Sequence, residues 1–582
     1  MEIQKFETLR DLFSYCTDRF KANKAFSYTN GNSYTYQEFG DKTIEISNIL
    51  SQAGIGAEDK VGILSQNMPN WVVAYFSATA FGRVVVPMLP DFSETEIKNV
   101  IEHSELKALF ISNRLLYKVP KEFLDKLNIV IDIDSFEIVY SAKDNLPCEI
   151  KFAKEEDLAT IIYTSGTTGN SKGVMLSHRN LCTHLYSAFK LRPSFEWDVW
   201  LSVLPLSHTL ESSLSMLLPM MSGSSVCFLE KPPTPSILLQ ALKDVRPTTM
   251  LTVPMIIEKI FRSSVLPKFQ ESKITNAIYK TTLGRKLLHR IAGKKLMATF
   301  GGRLRFFGIG GAKLDGEVER FLFESKFPYA IGYGLTETSP LLAGANTKMV
   351  KWQSTGPAVY GVTLRIDNPN PVTGEGEIVA KGPNVMMGYY KNPAATEQTF
   401  TKDGWFRTKD LGILDKKGRL YIKGRLTNMI LGPSGENIYP EEIESVINGH
   451  SMVAESVVTE NMGKLIALVH FNPDKLKALK EAKEEAINAY YETKEHLVKS
   501  YEETIKSYEE KKDETIKAFT EKKDETIKAF NEKIEQLKKE VSEYVNARVN
   551  KFSKISIVLD HPHQFEKTAT QKIKRYLYKK KS

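Results

Sequence analysis

The sequence predicts an α/β protein. It has a large N-terminal domain of mainly parallel, helix-covered sheets plus a small β-barrel-like part, then a small α+β C-terminal domain with a long helical insertion. Three observations lead there. Over the first four hundred residues, short apolar β-branched runs alternate with helix-period stretches, and strands separated by helices pair in parallel with both faces covered. Past Gln353 the glycines crowd, as in Thr373-Gly-Glu-Gly-Glu-Ile-Val379, and short strands and turns take over. Between Pro473 and Pro562 neither Gly nor Pro occurs, so nothing breaks a helix.

In chain order the predicted strands are Val61–Leu64, Val84–Val86, Ala108–Ile111, Ile129–Ile133 and Thr160–Ile162. Trp71 to Pro90 is the most hydrophobic stretch. It carries Gly82 and Arg83, so it reads as a buried helix followed by a strand and not as a membrane span. A chain of 582 residues exceeds one hydrophobic core, and two domains are expected, 1–424 and 425–582. In the second, strands Leu465–Phe471 and Ile555–Leu559 flank the insertion at about 475–550.

The insertion holds an eleven-residue repeat in three copies, Glu502–Lys512, Asp513–Lys523 and Asp524–Ile534. Eleven residues are close to three helical turns, so each copy places its apolar pair on one narrow stripe. Ile505, Tyr508, Ile516, Phe519, Ile527 and Phe530 form it, and Ile534, Leu537, Val541 and Tyr544 continue it. One straight helix here would run roughly 110 Å at 1.5 Å per residue. Both ends must return to a small domain, so an antiparallel hairpin is expected. It reads as a solvated arm, with a docking arm for a protein or membrane as the alternative.

The net charge of +9 is no sign of nucleic acid, because the last eleven residues supply Lys572, Lys574, Arg575, Lys579, Lys580 and Lys581; without these six it is +3. The tail reads as solvated, the alternatives being a CoA phosphate or an anionic membrane surface. Cys16, Cys148, Cys182 and Cys227 lack metal-type spacing and read as reduced thiols. With two acids and no apolar core at the start, the expected location is cytoplasmic, with peripheral contact to the inner face of the membrane as an alternative.

Tyr163-Thr-Ser-Gly-Thr-Thr-Gly-Asn-Ser-Lys-Gly-Val174 is the most informative run. Glycines let backbone N–H groups converge on an anion; Ser165, Thr167 and Thr168 add hydroxyls, and Lys172 adds a cation. The equipment suits a polyphosphate, although the spacing is not the Walker pattern.

This loop resembles the phosphate-binding signature of the acyl-adenylate-forming (AMP-binding) superfamily. Further motifs follow in that family's order: Gly332-Tyr-Gly-Leu-Thr-Glu-Thr338, Gly404-Trp-Phe-Arg-Thr-Lys-Asp-Leu-Gly412, Gly424-Arg-Leu-Thr-Asn-Met-Ile430 with Ser434–Pro440, and Lys567–Arg575. Within the superfamily the chain resembles bacterial long-chain fatty-acid–CoA ligases. The resemblance implies an ATP-dependent ligase that forms an acyl-adenylate with release of pyrophosphate and passes the acyl group to CoA, with a mobile C-terminal domain. An acyl-acyl carrier protein ligase, or a non-catalytic acyl- or nucleotide-binding protein on the same fold, are the alternatives.

The resemblance also implies roles. Thr164, Ser165, Gly166, Thr167, Thr168, Gly169 and Lys172 would hold the β- and γ-phosphates. Thr336 would bond the α-phosphate; Glu337, with Thr164, would hold Mg2+. Tyr333 and Gly334, backed by Gly310, Gly311 and Ala312, would take the adenine; Asp410 would take the ribose, and Arg425 the ribose or a phosphate. Gly435 would line the pantetheine channel. His208 would line an acyl pocket, next to an apolar segment carrying Met216, Met220 and Met221. Lys572 would bridge the attacking carboxylate and the α-phosphate, with Lys574 as its competitor. Two departures stand out: Gln571 where the family commonly has Gly, and Thr427 where it usually has Asp or Lys.

Overall fold

In the computed structural model, the described residues are 4–164, 171–431, 437–461, 464–503, 509–568 and 572–578. Contacts divide the chain into two units, Met1–Lys423 and Gly424–Ser582.

The first unit contains two eight-stranded sheets. One runs in the order Leu341–Gly344, Tyr329–Gly334, Phe306–Ile309, Thr249–Thr252, Val199–Ser202, Ser225–Phe228, Lys24–Tyr28 and Ser33–Thr35, parallel throughout except for the two outermost pairs. The other runs Gly388–Tyr389, Lys172–Ser177, Leu158–Thr164, Val84–Met88, Lys60–Leu64, Leu106–Ile111, Ile129–Asp132 and Ile138–Ser141. Its inner pairs are parallel, and antiparallel strands close both ends. The glycine-rich stretch past Gln353 forms a five-stranded sheet in which Gly376–Lys381 pairs antiparallel with both Thr363–Asp367 and Phe406–Leu414.

The apolar stretch that begins at Trp71 is helix Pro69–Thr79, in which ten of eleven residues are buried, followed by strand Val84–Met88. Arg83, between them, is buried too. Its guanidinium donates to Ile55 O (2.8 Å), Ser77 O (2.9 Å), Ser47 Oγ (2.8 Å) and Ser51 Oγ (2.6 Å). Burial lowers its pKa to about 10, and these oxygens, with Ser47 O at 3.3 Å, offset the desolvation of the charge. Helix starts are fixed locally: Thr8 with Asp11, Thr35 with Glu38 and Ser93 with Glu96 form reciprocal capping boxes. The four cysteines are free. Among the described residues no helix is long and apolar enough to cross a membrane.

The second unit is built on a three-stranded sheet. Lys464–Phe471 pairs antiparallel with Val453–Asn461 and parallel with Ile557–Asp560. The edge strand Val453–Asn461 is absent from the sequence reading because Glu455, Ser456, Thr459 and Glu460 dilute its apolar run. The insertion is two helices, Pro473–Glu503 and Glu509–Asn546. Lys483 Nζ lies 4.6 Å from the Phe530 ring centre and Lys523 Nζ 4.2 Å from that of Tyr490. Seven residues forward on one helix thus match seven back on the other, which makes the pair antiparallel. Along the apolar stripe Ile527 and Phe530 are half-buried, whereas Ile534, Leu537 and Val541 are buried against Ile443, Ile447, Val469 and Leu476. Ile505 and Tyr508 lie outside the described residues, and Ile516 and Phe519 fall on helix Glu509–Asn546.

Candidate active site

Strands Leu158–Thr164 and Lys172–Ser177 pair antiparallel, and Thr164 faces Lys172, with Thr164 Oγ1 donating to Lys172 O at 3.5 Å. Ser165, Gly166, Thr167, Thr168 and Gly169 lie outside the described residues. Lys172 Nζ stands 4.9 Å from the centre of the Tyr389 ring. A cavity of about 230 Å³ opens beside it, lined by His103, Lys172, Gly173, Tyr389, Tyr390 and Lys391. His103 Nδ1 and Tyr163 Oη are 2.7 Å apart at its edge. Burial, then the neighbouring Lys391 charge, lowers the His103 pKa and keeps that imidazole neutral.

A second group gathers where strand Tyr329–Gly334 ends. Gly334 is required there: a Cβ would lie 1.8 Å from Pro340 O, because the chain doubles back at once. The one-turn helix Thr336–Thr338 sits in this bend. Asn384 clamps it, donating from Nδ2 to Thr338 O (2.8 Å) and Leu341 O (3.0 Å), while Ser339 Oγ donates to Asn384 O (2.9 Å). Met386 N donates to Glu337 O (2.9 Å), and Tyr389 Oη donates to Glu337 Oε1 (2.9 Å). Burial, reinforced by the Glu337 charge, pushes the Tyr389 phenol well above its ordinary pKa, so it stays a donor. Tyr389 therefore joins Glu337 to Lys172, one through its hydroxyl and the other through its ring.

Tyr333 and Asp410 come together across 77 residues of sequence: Tyr333 Oη donates to Asp410 Oδ2 at 2.8 Å, and both are buried. Asp410 lies on strand Phe406–Leu414, where its N–H donates to Thr408 Oγ1 (3.1 Å) and Thr408 Oγ1 donates to Ile378 O (2.7 Å). Gly310, Gly311 and Ala312 follow strand Phe306–Ile309, which neighbours Tyr329–Gly334. Gly311 adopts φ +85°, and a Cβ on Gly310 would lie 3.8 Å from Gly332 O and 3.4 Å from Leu210 Cδ2.

That last contact brings in the segment carrying His208. His208 is half-buried, and its carbonyl accepts from Glu211 N and Ser212 N (both 3.0 Å). Asn67 holds the approach, donating to Leu204 O (2.7 Å) and accepting from Leu206 N (2.8 Å). Glu211 is fully buried, with Oε1 accepting from Val203 N (3.1 Å), and burial raises its pKa to about 7.

Arg425, Thr427 and Lys572 belong to the second unit. Arg425 O accepts from Met429 N (3.0 Å) and Asn428 N (3.1 Å), and Thr427 is exposed. Lys572 is exposed, its N–H donating to Thr568 Oγ1 (3.3 Å) and its carbonyl accepting from Thr568 N (2.8 Å). Lys574 is half-buried, 3.9 Å from Glu566, and Arg575 is paired with the buried Glu444. Gly435 lies outside the described residues.

Among the described residues no group of three or more His, Cys, Asp or Glu could hold a metal. Glu337 is a single, hydrogen-bonded carboxylate. Such a donor suits Mg2+, which takes one or two carboxylates and completes its shell with water and substrate phosphates.

Asn67, Asn384 and Tyr389 are site-shaping residues that sequence reasoning missed. Each acts on a segment 43 to 139 residues away, and no local pattern marks them. The one available signal for Tyr389 was the aromatic pair after Gly388.

Residues 14–390 match a family model described as AMP-binding enzyme. The long-chain-fatty-acid–CoA ligase FadD15 of Mycobacterium bovis is 30% identical over 443 residues, 70% of this chain and 72% of that protein. The long-chain-fatty-acid–CoA ligase heimdall of Drosophila melanogaster is 29% identical over 460 residues, 71% of this chain and 67% of its own. Among solved structures, o-succinylbenzoate CoA synthetase of Bacillus subtilis in complex with its acyl-adenylate intermediate superimposes with a TM-score of 0.71 at 21% identity, covering 100% of this chain and 99% of that one. ATP-bound MatB of Rhodopseudomonas palustris gives a TM-score of 0.69, also at 21% identity, covering 98% of each chain.

Proposed function

Because the chain belongs to the AMP-binding enzyme family, we propose that it joins a long-chain fatty acid to CoA through an acyl-adenylate, releasing pyrophosphate. ATP, Mg2+ and CoA are the co-reactants of that chemistry. The observation that carries the reading is the hydrogen bond from Tyr333, near the end of strand Tyr329–Gly334, to Asp410 on strand Phe406–Leu414, with Thr336 and Glu337 on the turn that follows Gly334. The long-chain assignment is supported by the relatives' substrates.

In the first half-reaction the carboxylate of the fatty acid attacks the α-phosphorus of ATP, and the bond to the β-phosphate breaks. Two anions must approach, so the site needs cations and oriented donors more than a base. Asp410 accepts the ribose hydroxyls, and the Tyr333 ring covers the adenine against Gly310–Ala312. The Thr336 hydroxyl bonds an α-phosphate oxygen, and Lys172 meets the terminal phosphates. Glu337, oriented by Tyr389 and aided by Thr164, would hold the magnesium. When bound, that ion offsets phosphate charge. Lys572 supplies the cation at the attacking carboxylate. In the second half-reaction the CoA thiol attacks the acyl carbon and AMP leaves.

Pyrophosphate release from ATP, measured with palmitate, acetate or benzoate, tests the reading. Palmitate should outcompete both, since each buried methylene contributes about 0.8 kcal/mol. A preference for acetate or benzoate would overturn the acyl class. Adding CoA or acyl carrier protein in turn identifies the acceptor, and thioester formed on the carrier alone would overturn CoA.

A further inference from the structure

The C-terminal tail is not the only basic concentration in this chain. From Ser272 to Leu314 the sequence holds ten Lys and Arg residues and no acid. All but the last nine residues of this segment belong to the crossover between strands Thr249–Thr252 and Phe306–Ile309, which are adjacent in their sheet. It forms helices Lys273–Lys280 and Thr282–Thr299. They meet tightly: a Cβ on Gly284 would lie 2.6 Å from Ile278 Cγ2.

The longer helix uses one face for the fold. His289, Gly293 and Leu296 are buried, and a Cβ on Gly293 would lie 2.5 Å from Ser325 Cβ. The opposite face should then be polar. Instead Leu283 is 82% exposed, Leu287 59% and Ile291 48%, one stripe at four-residue spacing. Ile274, 73% exposed, and Ile278, 40% exposed, extend it onto the shorter helix. Exposed Lys286, Arg290 and Lys294 run beside the stripe, and Lys273, Lys280 and Lys295 stand around it. Single exposed aliphatic residues are ordinary on a protein surface; five on adjoining turns, set among cations, are not.

We propose that this face, residues 273–295, docks on an anionic lipid surface. Aliphatic side chains set between lysines and arginines are what an interfacial helix needs: the apolar residues enter the acyl boundary and the cations meet headgroup phosphates. A second copy of the chain would place like charges against each other. A nucleic acid would use the cations but leave the five aliphatic side chains idle. The proposal does not depend on which acid the enzyme activates.

The test is co-sedimentation of the full chain with vesicles of phosphatidylcholine alone or mixed with phosphatidylglycerol, at low and high salt. The expected result is binding to the mixed vesicles that salt weakens. Two triple variants, Leu283→Ser/Leu287→Ser/Ile291→Ser and Lys286→Gln/Arg290→Gln/Lys294→Gln, should each lose binding at least about tenfold. Both should keep the wild-type melting temperature and pyrophosphate release. Variants that sediment like the wild type would overturn the proposal. So would binding lost only when residues 579–582 are removed, or variants that lose affinity for duplex DNA but not for vesicles. A wild-type dimer that either variant converts to monomer without changing vesicle binding would assign the face to self-association and overturn it as well.

Discussion

Tyr389 does two jobs with one side chain: its hydroxyl donates to Glu337 Oε1 and its ring lies beneath Lys172. The substitution Tyr389→Phe separates them, because the ring stays and the donor goes. A hydrogen bond to a charged group contributes about 1.5 kcal/mol, so an unanchored Glu337 should raise the Mg2+ concentration for half-maximal turnover about tenfold. Mn2+ binding in the presence of ATP, followed by paramagnetic resonance, should weaken in step while the melting temperature holds. Unchanged metal affinity would remove Tyr389 from this role. Lys572 and Lys574 allow a similar separation. Lys574 lies 3.9 Å from Glu566, and Lys572 is exposed. Lys572→Ala should abolish pyrophosphate release yet spare thioester formation from supplied acyl-adenylate, and Lys574→Ala should leave both half-reactions near wild type. Equal loss of the two half-reactions in Lys572→Ala would show that its assignment is wrong.

Among the elements, the helical arm invites cutting. Its base is part of a core, since Ile534, Leu537, Val541 and Val545 are buried with Ile443 and Val469. Its three repeats occupy 502–534, and the third ends at Ile534 in that core. Removing residues 513–523 takes out close to three turns and keeps the stripe near its original phase. Adenylation should survive, read as palmitate-dependent pyrophosphate release. Removing five residues instead rotates the stripe toward the opposite face and should lower the melting temperature of the second unit. Loss of adenylation on the eleven-residue deletion would mean that the repeat supports the site. The hairpin was legible in the sequence because the repeat and the absence of Gly and Pro are local signals. The edge strand Val453–Asn461 was not, because its pairing with Lys464–Phe471 supplies what its composition does not.

At the scale of the whole molecule, two buried carboxyl groups tie stability to pH. Glu211 and Glu319 are buried, and burial raises the pKa of each to about 7. The folded state holds these protons more tightly than the unfolded chain does. Their contribution is therefore full below the ordinary carboxyl pKa and is lost as pH rises through about 7. The Glu211→Gln/Glu319→Gln pair should flatten the fall in unfolding free energy between about pH 4.5 and pH 7, a change of a few kcal/mol read by denaturant titration. An identical slope in the variant would show that neither group titrates with folding.

The sequence by itself determined the strand-and-helix alternation, the hairpin of the insertion and the Tyr163–Val174 and Gly332–Thr338 motifs. These rest on short-range periodicity, glycine geometry and local chemistry. Only the tertiary structure decided that Tyr333 meets Asp410, that Asn384 clamps the Thr336–Thr338 turn, and that Leu283, Leu287 and Ile291 face outward while His289, Gly293 and Leu296 face inward. The helix 282–299 is apolar on both sides, so its pattern alone could not say which side the core would take. Contacts that span tens of residues leave no local trace, because either partner alone satisfies the ordinary rules for a strand, a turn or a helix.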